Sequence, residues 1–334
     1  MYTLTADSGS TKTTWLLTKN SRPSPSGETE GASRFTTQGI NPFHMSPSDM
    51  RRIISDELLA AIVKDGSADI AKSITRIHFY GAGCTKEKSP ILKDILASFF
   101  PDAQTITVDS DMLGAAKALF ADQPGIACIL GTGANSCLYD GKQIVSNISP
   151  MGYILGDEGS GAVIGKTFLN ALYKGQHRDF IPTFEKETGL TLPDIINKVY
   201  REPLPNRFLA SLAPFIKSHI EDQEWIAQHV TQCFRDFFRN NVSHYTTHLS
   251  SLDLRPSPLR GSRWGPLSSL TPQLTSLPLR GAGGGCSSPL GGSRSGAVPV
   301  GFVGSIAFHF REQLLQAAAD EGYTVSKILK EPLQ

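Results

Sequence analysis

The stretch Asp7-Ser8-Gly9-Ser10-Thr11-Lys12-Thr13 lies between two short β-prone segments, Tyr2 to Ala6 and Thr13 to Thr18. Two such segments separated by glycine and hydroxyl residues predict an antiparallel hairpin. The backbone N–H groups of a tight turn of this kind can converge on one concavity that suits phosphate oxygens. The stretch is not a Walker A loop, which requires glycine directly before the lysine, because Thr11 stands there. From these residues alone, a structural turn and a phosphate site are about equally good interpretations.

A second stretch, Leu130-Gly131-Thr132-Gly133-Ala134-Asn135-Ser136, has the same character. It also lies between two β-prone segments, Ile126 to Leu130 and Asn135 to Tyr139. A plain hairpin is again an even alternative for this stretch alone. Two such turns, each heading one half of the chain, nevertheless predict duplicated domains that face a single nucleotide.

The regions around these turns complete an α/β pattern. After a helix from Pro47 to about Val63, the chain alternates strand and helix, which predicts parallel pairing. The alternating segments are 76–80 (strand), 90–100 (helix), 104–108 (strand) and 111–120 (helix). Further along we predict a strand at 143–148, a mainly helical region over 159–245, a strand at 298–303 and one long helix at 307–321.

The composition describes a globular protein. The chain has 334 residues, of which 40% are hydrophobic and 19% charged, with a net charge of +1. This balance favours neither nucleic acid nor an anionic membrane as a partner. The five cysteines are scattered without a CxxC pair, and Met1 to Asp7 lacks the features of a signal peptide. We therefore expect a cytoplasmic protein, and a homodimer is compatible with the sequence.

Residues 251–297 differ in composition from the rest of the chain. Ser, Pro, Gly, Leu and Arg dominate, and Lys, Glu, Ile, Val, Phe and Tyr are all missing. Such a segment has little material for a core, and we predict a disordered low-complexity insertion. A basic tether for a partner is one interpretation. We favour a tolerated insertion or a sequence artefact such as a shifted reading frame.

The motifs, taken in order, resemble those of the BadF/BadG/BcrA/BcrD-type ATPase family, and within it the N-acetylglucosamine kinases. Each piece is weak by itself, but the ordered set is specific and spans nearly the whole chain outside 251–297. The pieces are Asp7 to Thr13, Gly39 to Asn41, Gly81 to Gly83, Asp111 to Ala116, Gly131 to Ser136, Gly152 to Ser160 and Val300 to Ser305.

The resemblance implies the two-domain actin-like ATPase (ribonuclease H-like) fold of the α/β class, with ATP in the cleft between the domains. It divides the chain into an N-terminal subdomain, 1–113, and a C-terminal subdomain, 114–334, whose end we expect to pack back on the first. It also implies ATP and Mg²⁺ as cofactors. The substrate would be an amino sugar, N-acetylglucosamine above all, phosphorylated on its 6-hydroxyl.

The same resemblance assigns individual residues. Asp7 would help to hold Mg²⁺, and Asp111 would be the catalytic base. The residues expected to contact ATP are Gly9, Ser10, Thr11, Lys12, Thr13, Thr132, Gly133 and Gly304. The residues expected to contact the sugar are Asn41, Asp111, Asn135, Gly152 and Asp157.

The two principal carboxylates have simpler alternative roles. From spacing alone, helix capping by Asp109, Ser110 or Asp111 is more common than catalysis, and the resemblance reverses that preference for Asp111. Asp157 and Glu158 precede a predicted helix at about Gly159, where acidic residues commonly stabilise the helix dipole. We favour Asp157 as a ligand of a sugar hydroxyl.

Two rival functions share the fold. One is an ATPase that activates a 2-hydroxyacyl-CoA dehydratase through an iron–sulfur cluster, which requires cysteine thiolates at a subunit interface. Here Cys84 and Cys137 lie inside kinase-like motifs, and no dedicated pair of cluster ligands is evident. The other rival is a sugar sensor without catalysis. Such a sensor usually carries an added DNA-binding segment. The presence of both Asp7 and Asp111 favours an enzyme over a sensor.

Overall fold

The structure is a computed structural model that describes residues 1–9, 11–19, 32–65, 72–245 and 298–333. The insertion predicted at 251–297 lies outside the described residues, and so does Ser10.

The first β-sheet belongs to the N-terminal half. Its strands are β1 (Tyr2–Ser8), β2 (Lys12–Lys19), β3 (Ser33–Gln38), β4 (Ile74–Gly81) and β5 (Thr105–Ser110). Their order across the sheet is β3-β2-β1-β4-β5. Strand β2 is antiparallel to β1 and β3, whereas β4 is parallel to β1 and β5. The predicted hairpin and the predicted parallel pairing are confirmed, and β3 is an additional strand.

The second β-sheet repeats this arrangement. Its strands are β6 (Gly125–Leu130), β7 (Ala134–Tyr139), β8 (Ile144–Ile148), β9 (Val300–Val303) and β10 (Val325–Leu329). Read from one edge, their order is β8-β7-β6-β9-β10. Strand β7 is antiparallel to β6 and β8, whereas β9 is parallel to β6 and β10. Two copies of one mixed five-stranded sheet form the two-domain actin-like α/β fold that the resemblance of the motifs implied.

The helices of the N-terminal half cover its sheet. They are α1 (Pro47–Arg52), α2 (Ala60–Lys64), α3 (Ser89–Phe99) and α4 (Asp111–Phe120). A π-helical segment, Ile53–Leu59, joins α1 to α2, so the predicted helix is continuous but widened in its middle. The core between helices and sheet includes the fully buried side chains of Trp15, Leu58 and Phe79.

The C-terminal half is richer in helix. Its helices are α5 (Gly152–Leu155), α6 (Gly161–Lys174), α7 (Ile181–Thr188), α8 (Leu192–Tyr200), α9 (Pro205–Ala210), α10 (Ala213–Ser218), α11 (Glu224–Phe237), α12 (Ser305–His309) and α13 (Arg311–Asp320). The predicted single helix at 307–321 is therefore two helices. They meet at Phe310, which leaves helical backbone geometry (φ −107°, ψ 31°) and is buried. Among the described residues, no helix has the length and apolar character needed to cross a bilayer.

Helix α4 contacts both halves of the molecule. Its Met112, Ala116 and Phe120 belong to a core cluster that also contains Tyr139 of the second sheet. On the other side, a Cβ added to Gly114 would lie 2.7 Å from the Tyr80 side chain of the first sheet. A division between residues 113 and 114 thus falls inside the helix that joins the two sheets.

Candidate functional site

A cleft of about 770 Å³ lies where the two glycine-containing hairpins meet. Each hairpin has three connecting residues: 9–11 between β1 and β2, and 131–133 between β6 and β7. The predicted site residues that line this cleft are Asp7, Gly9, Thr11, Lys12, Asp111, Thr132, Gly133, Asn135, Gly152, Asp157 and Gly304. The fold therefore brings side chains from opposite ends of the chain into one hollow.

Buried hydroxyl groups on both strands of the first hairpin fix the shape of its turn. The hydroxyls of Ser8 and Thr13 are 2.7 Å apart, and both accept a hydrogen bond from the N–H of Ile40. Thr13 also donates to the carbonyl of Gln38. The Thr13 side chain is fully buried, and Thr13 is not among the residues that line the cleft, so its contact with ATP stays a prediction. Its hydroxyl instead fixes the shape of the turn that carries Gly9 and Thr11.

The second hairpin turn is fixed by helix α6. The Ser160 hydroxyl caps this helix by accepting a hydrogen bond from the N–H of Val163. The helix then donates its first N–H groups to the turn, from Gly161 to the Gly131 carbonyl (2.8 Å) and from Ala162 to the Thr132 carbonyl (3.1 Å). These bonds satisfy donors that a helix start leaves unpaired. They also hold Thr132 at the cleft wall.

Asp111 begins helix α4 but does not cap it. The cap is Ser110, whose hydroxyl accepts a hydrogen bond from the N–H of Leu113. The Oδ1 atom of Asp111 accepts a hydrogen bond from the N–H of Met112, and the side chain lines the cleft. Burial raises the pKa of Asp111 above its usual value, although backbone N–H groups oppose the shift. Such a carboxylate is a better proton acceptor than a solvated one.

Asp7 lies in the same electrostatic environment. Burial raises the pKa of Asp7 to about 7, and the carboxylates of Asp111 and Glu331 add to the effect, while Lys12 opposes it. Within the described parts of the chain, no group donates a hydrogen bond to the Asp7 carboxylate. Its negative charge is thus poorly compensated, and a cation would relieve it.

The unfavourable charge of the Asp7 carboxylate leads to a prediction about the stability of the fold. The folded-state pKa of Asp7 lies above the ordinary value of 3.8, so its ionised form destabilises the fold increasingly as pH rises between these values. We expect Asp7→Asn to raise the free energy of unfolding at pH 8 by on the order of 2 kcal/mol. The gain should be less than half as large at pH 5. Urea unfolding of the ligand-free protein at both pH values measures it.

The matched control is Asp102→Asn, a change at an exposed position that should leave the free energy of unfolding within about 0.5 kcal/mol of the wild-type value. An equal effect of Asp7→Asn at both pH values would show that Asp7 carries no unfavourable charge in the fold.

Asp157 lies against the second hairpin turn. A Cβ added to Gly133 would lie only 3.0 Å from its Oδ2 atom, which explains why this turn has no side chain there. Burial raises the pKa of Asp157 to about 6, while the N–H groups of Ala134 and Gly152 oppose the shift by hydrogen bonding to the carboxylate. Two of the predicted sugar-binding residues, Gly152 and Asp157, are therefore neighbours in the structure.

Asn135 and Asn41 have different positions. Asn135 lines the cleft, and its Oδ1 atom accepts hydrogen bonds from the N–H of Ser136 and the amide of Asn147. Asn41 is not among the residues that line the cleft. Its Oδ1 atom accepts a hydrogen bond from the N–H of Phe43 and shapes the loop that presents His44 to the cleft. The structure thus places Asn135 at the cleft, whereas Asn41 does not line it.

Several cleft residues were missed by the sequence reasoning. They include Thr14, His44, Asn206, Ser305, Lys330 and Glu331. Glu331 bonds Lys12 at 2.5 Å and Arg34 at 3.2 Å, so the segment after β10 contacts the first sheet. A contact across 319 positions leaves no local signal in a sequence. Asn206 follows a proline and resembles any exposed helix start.

The described cysteines do not form a ligand set. Cys84, Cys128, Cys137 and Cys233 are buried free thiols. Burial raises the pKa of Cys84 and Cys137 to about 12 and that of Cys233 to about 11. These groups are protonated thiols inside the core, whereas cluster ligands are thiolates.

No family model matches the chain. A Porphyromonas gingivalis protein of known structure, provisionally named an N-acetylglucosamine kinase, is 40% identical, with a TM-score of 0.77 and coverage of 99% of this chain and 95% of that one. A Chromobacterium violaceum protein with the same provisional name is 15% identical and shares the fold, with a TM-score of 0.63 and coverage of 99% and 95%.

A curated relative is the N-acetylmuramic acid/N-acetylglucosamine kinase of Clostridium acetobutylicum. It is 28% identical over 183 residues, which are 51% of this chain and 57% of that protein. The match thus spans little more than half of the curated relative. The likeness to the Porphyromonas gingivalis protein, in contrast, extends over nearly the full length of both chains. The chain belongs to the family of N-acetylglucosamine kinase-like sugar kinases.

Proposed function

We propose that this protein transfers the γ-phosphoryl group of ATP to a hydroxyl of an amino sugar, with N-acetylglucosamine as the substrate and its 6-phosphate as the product. The observation that carries the proposal is the single cleft into which both hairpin turns and the carboxylates of Asp7 and Asp111 open. The names of the relatives support the choice of sugar. The ordered motifs further favour membership of the BadF/BadG/BcrA/BcrD-type ATPases.

The phosphates of ATP are assigned to the two turns. On one side, the backbone at Gly9 and Thr11 and the ammonium group of Lys12 would contact them, and on the other Thr132 and Gly133. Lys12 must exchange Glu331 for a phosphate oxygen, which is a modest change because exposed ion pairs are weak. Gly304, at the end of β9, would lie beside the adenosine.

Asp7 suits a magnesium site. Its carboxylate lines the cleft and accepts no hydrogen bond from the described residues, so it is available to bind a cation. Mg²⁺ is commonly held by one or two carboxylates together with substrate phosphates. When bound, the ion would neutralise charge on the phosphate oxygens. The raised pKa of Asp7 means that the proton competes with the cation below about pH 7.

Asp111 is the base of the proposed reaction. Its Oδ1 atom is engaged by the N–H of Met112, so Oδ2 takes the proton of the sugar hydroxyl. The hydroxyl oxygen forms a bond to the γ-phosphorus as the bond from that phosphorus to the bridging oxygen breaks, and ADP leaves. Asn135, Gly152 and Asp157 orient the sugar at the same end of the cleft. Because ATP is the phosphoryl donor, we place the activity in the cytoplasm.

A coupled assay of ADP release tests this proposal. The sugars are N-acetylglucosamine, glucosamine, N-acetylmuramic acid and glucose, with a sugar-free reaction as the control. We expect sugar-dependent ADP release with the highest kcat/KM for N-acetylglucosamine, and a 6-phosphate product by ³¹P NMR. ADP release that no sugar stimulates would contradict a kinase. A preference for glucose would contradict the amino-sugar assignment.

A further inference from the structure

The segment from Pro150 to Ser160 has an unusual backbone. Four of its residues have positive φ angles: Met151 (59°), Gly152 (76°), Asp157 (56°) and Gly159 (72°). Met151 and Asp157 carry side chains, for which this conformation is unfavourable. A loop of this kind keeps its shape only when its surroundings hold it.

Hydrogen bonds within the loop provide part of that restraint. The N–H of Asp157 donates to the Pro150 carbonyl (2.9 Å), and that of Gly156 donates to the Gly152 carbonyl (2.8 Å). These bonds close the short helix α5 but do not attach it to the rest of the protein. Ile154 and Leu155 are both 71% exposed, so one side of α5 has little packing.

Lys166 attaches this loop to helix α6. Its Nζ atom donates to the carbonyl of Tyr153, in the middle of α5, at 2.6 Å. Helix α6 is the same element whose first N–H groups bond the Gly131 and Thr132 carbonyls. One rigid helix thus sets the positions of the phosphate-side turn and of the loop that carries Gly152 and Asp157.

We propose that Lys166 is a positioning residue that holds the sugar half of the cleft through the Tyr153 carbonyl. This inference rests on the proposed function for its kinetic consequence. Its structural content, a hydrogen bond from Lys166 that ties the α5 end of the loop to α6, is independent of any activity. The Asp157–Glu158 end has other partners, since Glu158 accepts hydrogen bonds from Asn240 and Asn241.

The charge of Lys166 has a second effect on the same loop. The pKa of Asp157 is raised to about 6, first by burial and also by the adjacent carboxylate of Glu158, whereas Lys166 lowers it. Sugar hydroxyls donate to a carboxylate more strongly when it is ionised. Loss of Lys166 should raise the pKa of Asp157, so tight sugar binding should begin at a higher pH.

The test compares Lys166→Met with Lys166→Arg. We expect Lys166→Met to raise KM for the sugar roughly tenfold at pH 7, because displacement of the loop misplaces its ligands. KM for ATP and kcat should stay within about twofold, and the fall of the sugar KM with pH should move to higher pH. Lys166→Arg, which keeps the charge and the donors, should restore most of the binding. Lys174→Met, at the exposed end of α6, is the matched control.

Hydrogen–deuterium exchange gives a readout without turnover. Lys166→Met should speed exchange of the amides from Met151 to Glu158 and leave exchange of the α6 amides unchanged. A wild-type enzyme that phosphorylates no sugar, with faster loop exchange in the variant, would overturn the proposed function and keep the inference. An active wild type with unchanged sugar KM and unchanged exchange in Lys166→Met would overturn the inference alone. Equal rises in both KM values, or no rescue by arginine, would also overturn it.

Discussion

Asp111→Asn should lower turnover by about 10²–10⁴-fold without disturbing the fold, which is the usual weight of a general base. The amide keeps the size of the side chain, and its oxygen can still accept the hydrogen bond from Met112. The cap of α4 belongs to Ser110 and is untouched. What the variant loses is the atom that takes the proton of the attacking hydroxyl.

Steady-state kinetics of purified Asp111→Asn, together with its melting temperature, measure this prediction. Asp109→Asn is the matched control, because Asp109 lies two residues earlier, at the end of β5, and does not line the cleft. The control should keep turnover within a factor of about three, a change of less than about 1 kcal/mol in activation free energy, because Asp109 does not line the cleft. An Asp111→Asn enzyme with nearly full turnover would remove Asp111 from the mechanism.

Gly304→Ala should be severely destabilising. Gly304 has a φ of +128°, a conformation nearly confined to glycine, and an added Cβ would lie 2.1 Å from the carbonyl oxygen of Leu130. The contact is with backbone, so no side chain can rotate away. We expect a loss on the order of 4 kcal/mol in the free energy of unfolding. The distortion would also displace the end of β6, from which the 131–133 turn begins.

Comparison with Gly322→Ala separates the strain of the backbone from the clash with the Leu130 carbonyl. Gly322 also has a positive φ, +77°, but an added Cβ there meets nothing within 4 Å. This control should cost only about 1 kcal/mol, the strain of the left-handed backbone. Urea unfolding of both variants, or their soluble yields if Gly304→Ala does not fold, gives the comparison. Equal losses would show that the close approach to Leu130 is not a constraint.

The fold could be predicted because its decisive signals are local. Glycine and hydroxyl residues between two β-prone segments marked both hairpins, and the alternation of strand and helix gave the parallel strands. Helix α4 begins and ends where its sequence pattern predicted, Asp111 to Phe120. Strand β3, Ser33–Gln38, was missed because it is a polar edge strand whose pairing with β2 is decided by tertiary context.

The candidate site was only partly predictable, for a physical reason. The motifs identified which segments of the chain reach the cleft. They did not distinguish a residue that faces the cleft from one that supports the segment from the core. Thr13 lies in the predicted phosphate turn, yet its hydroxyl is buried in the network with Ser8. Alternation along a strand sends adjacent residues to opposite faces, and the buried hydroxyl of Thr13 is a consequence of that geometry.

Contacts between distant segments lie beyond any local pattern. The ion pair of Lys12 with Glu331 and the tie from Lys166 to Tyr153 depend on how the two sheets and α6 are placed in space. Neither lysine stands in a sequence context that identifies its partner. Three-dimensional placement was needed to find both.

A crystal structure with Mg²⁺, a non-hydrolysable ATP analogue and N-acetylglucosamine would test the central claim most directly. We predict that the triphosphate lies between residues 9–12 and 131–133, with a sugar hydroxyl within hydrogen-bonding distance of Asp111 Oδ2. A nucleotide bound away from either turn, or a sugar with no hydroxyl near Asp111, would contradict the account.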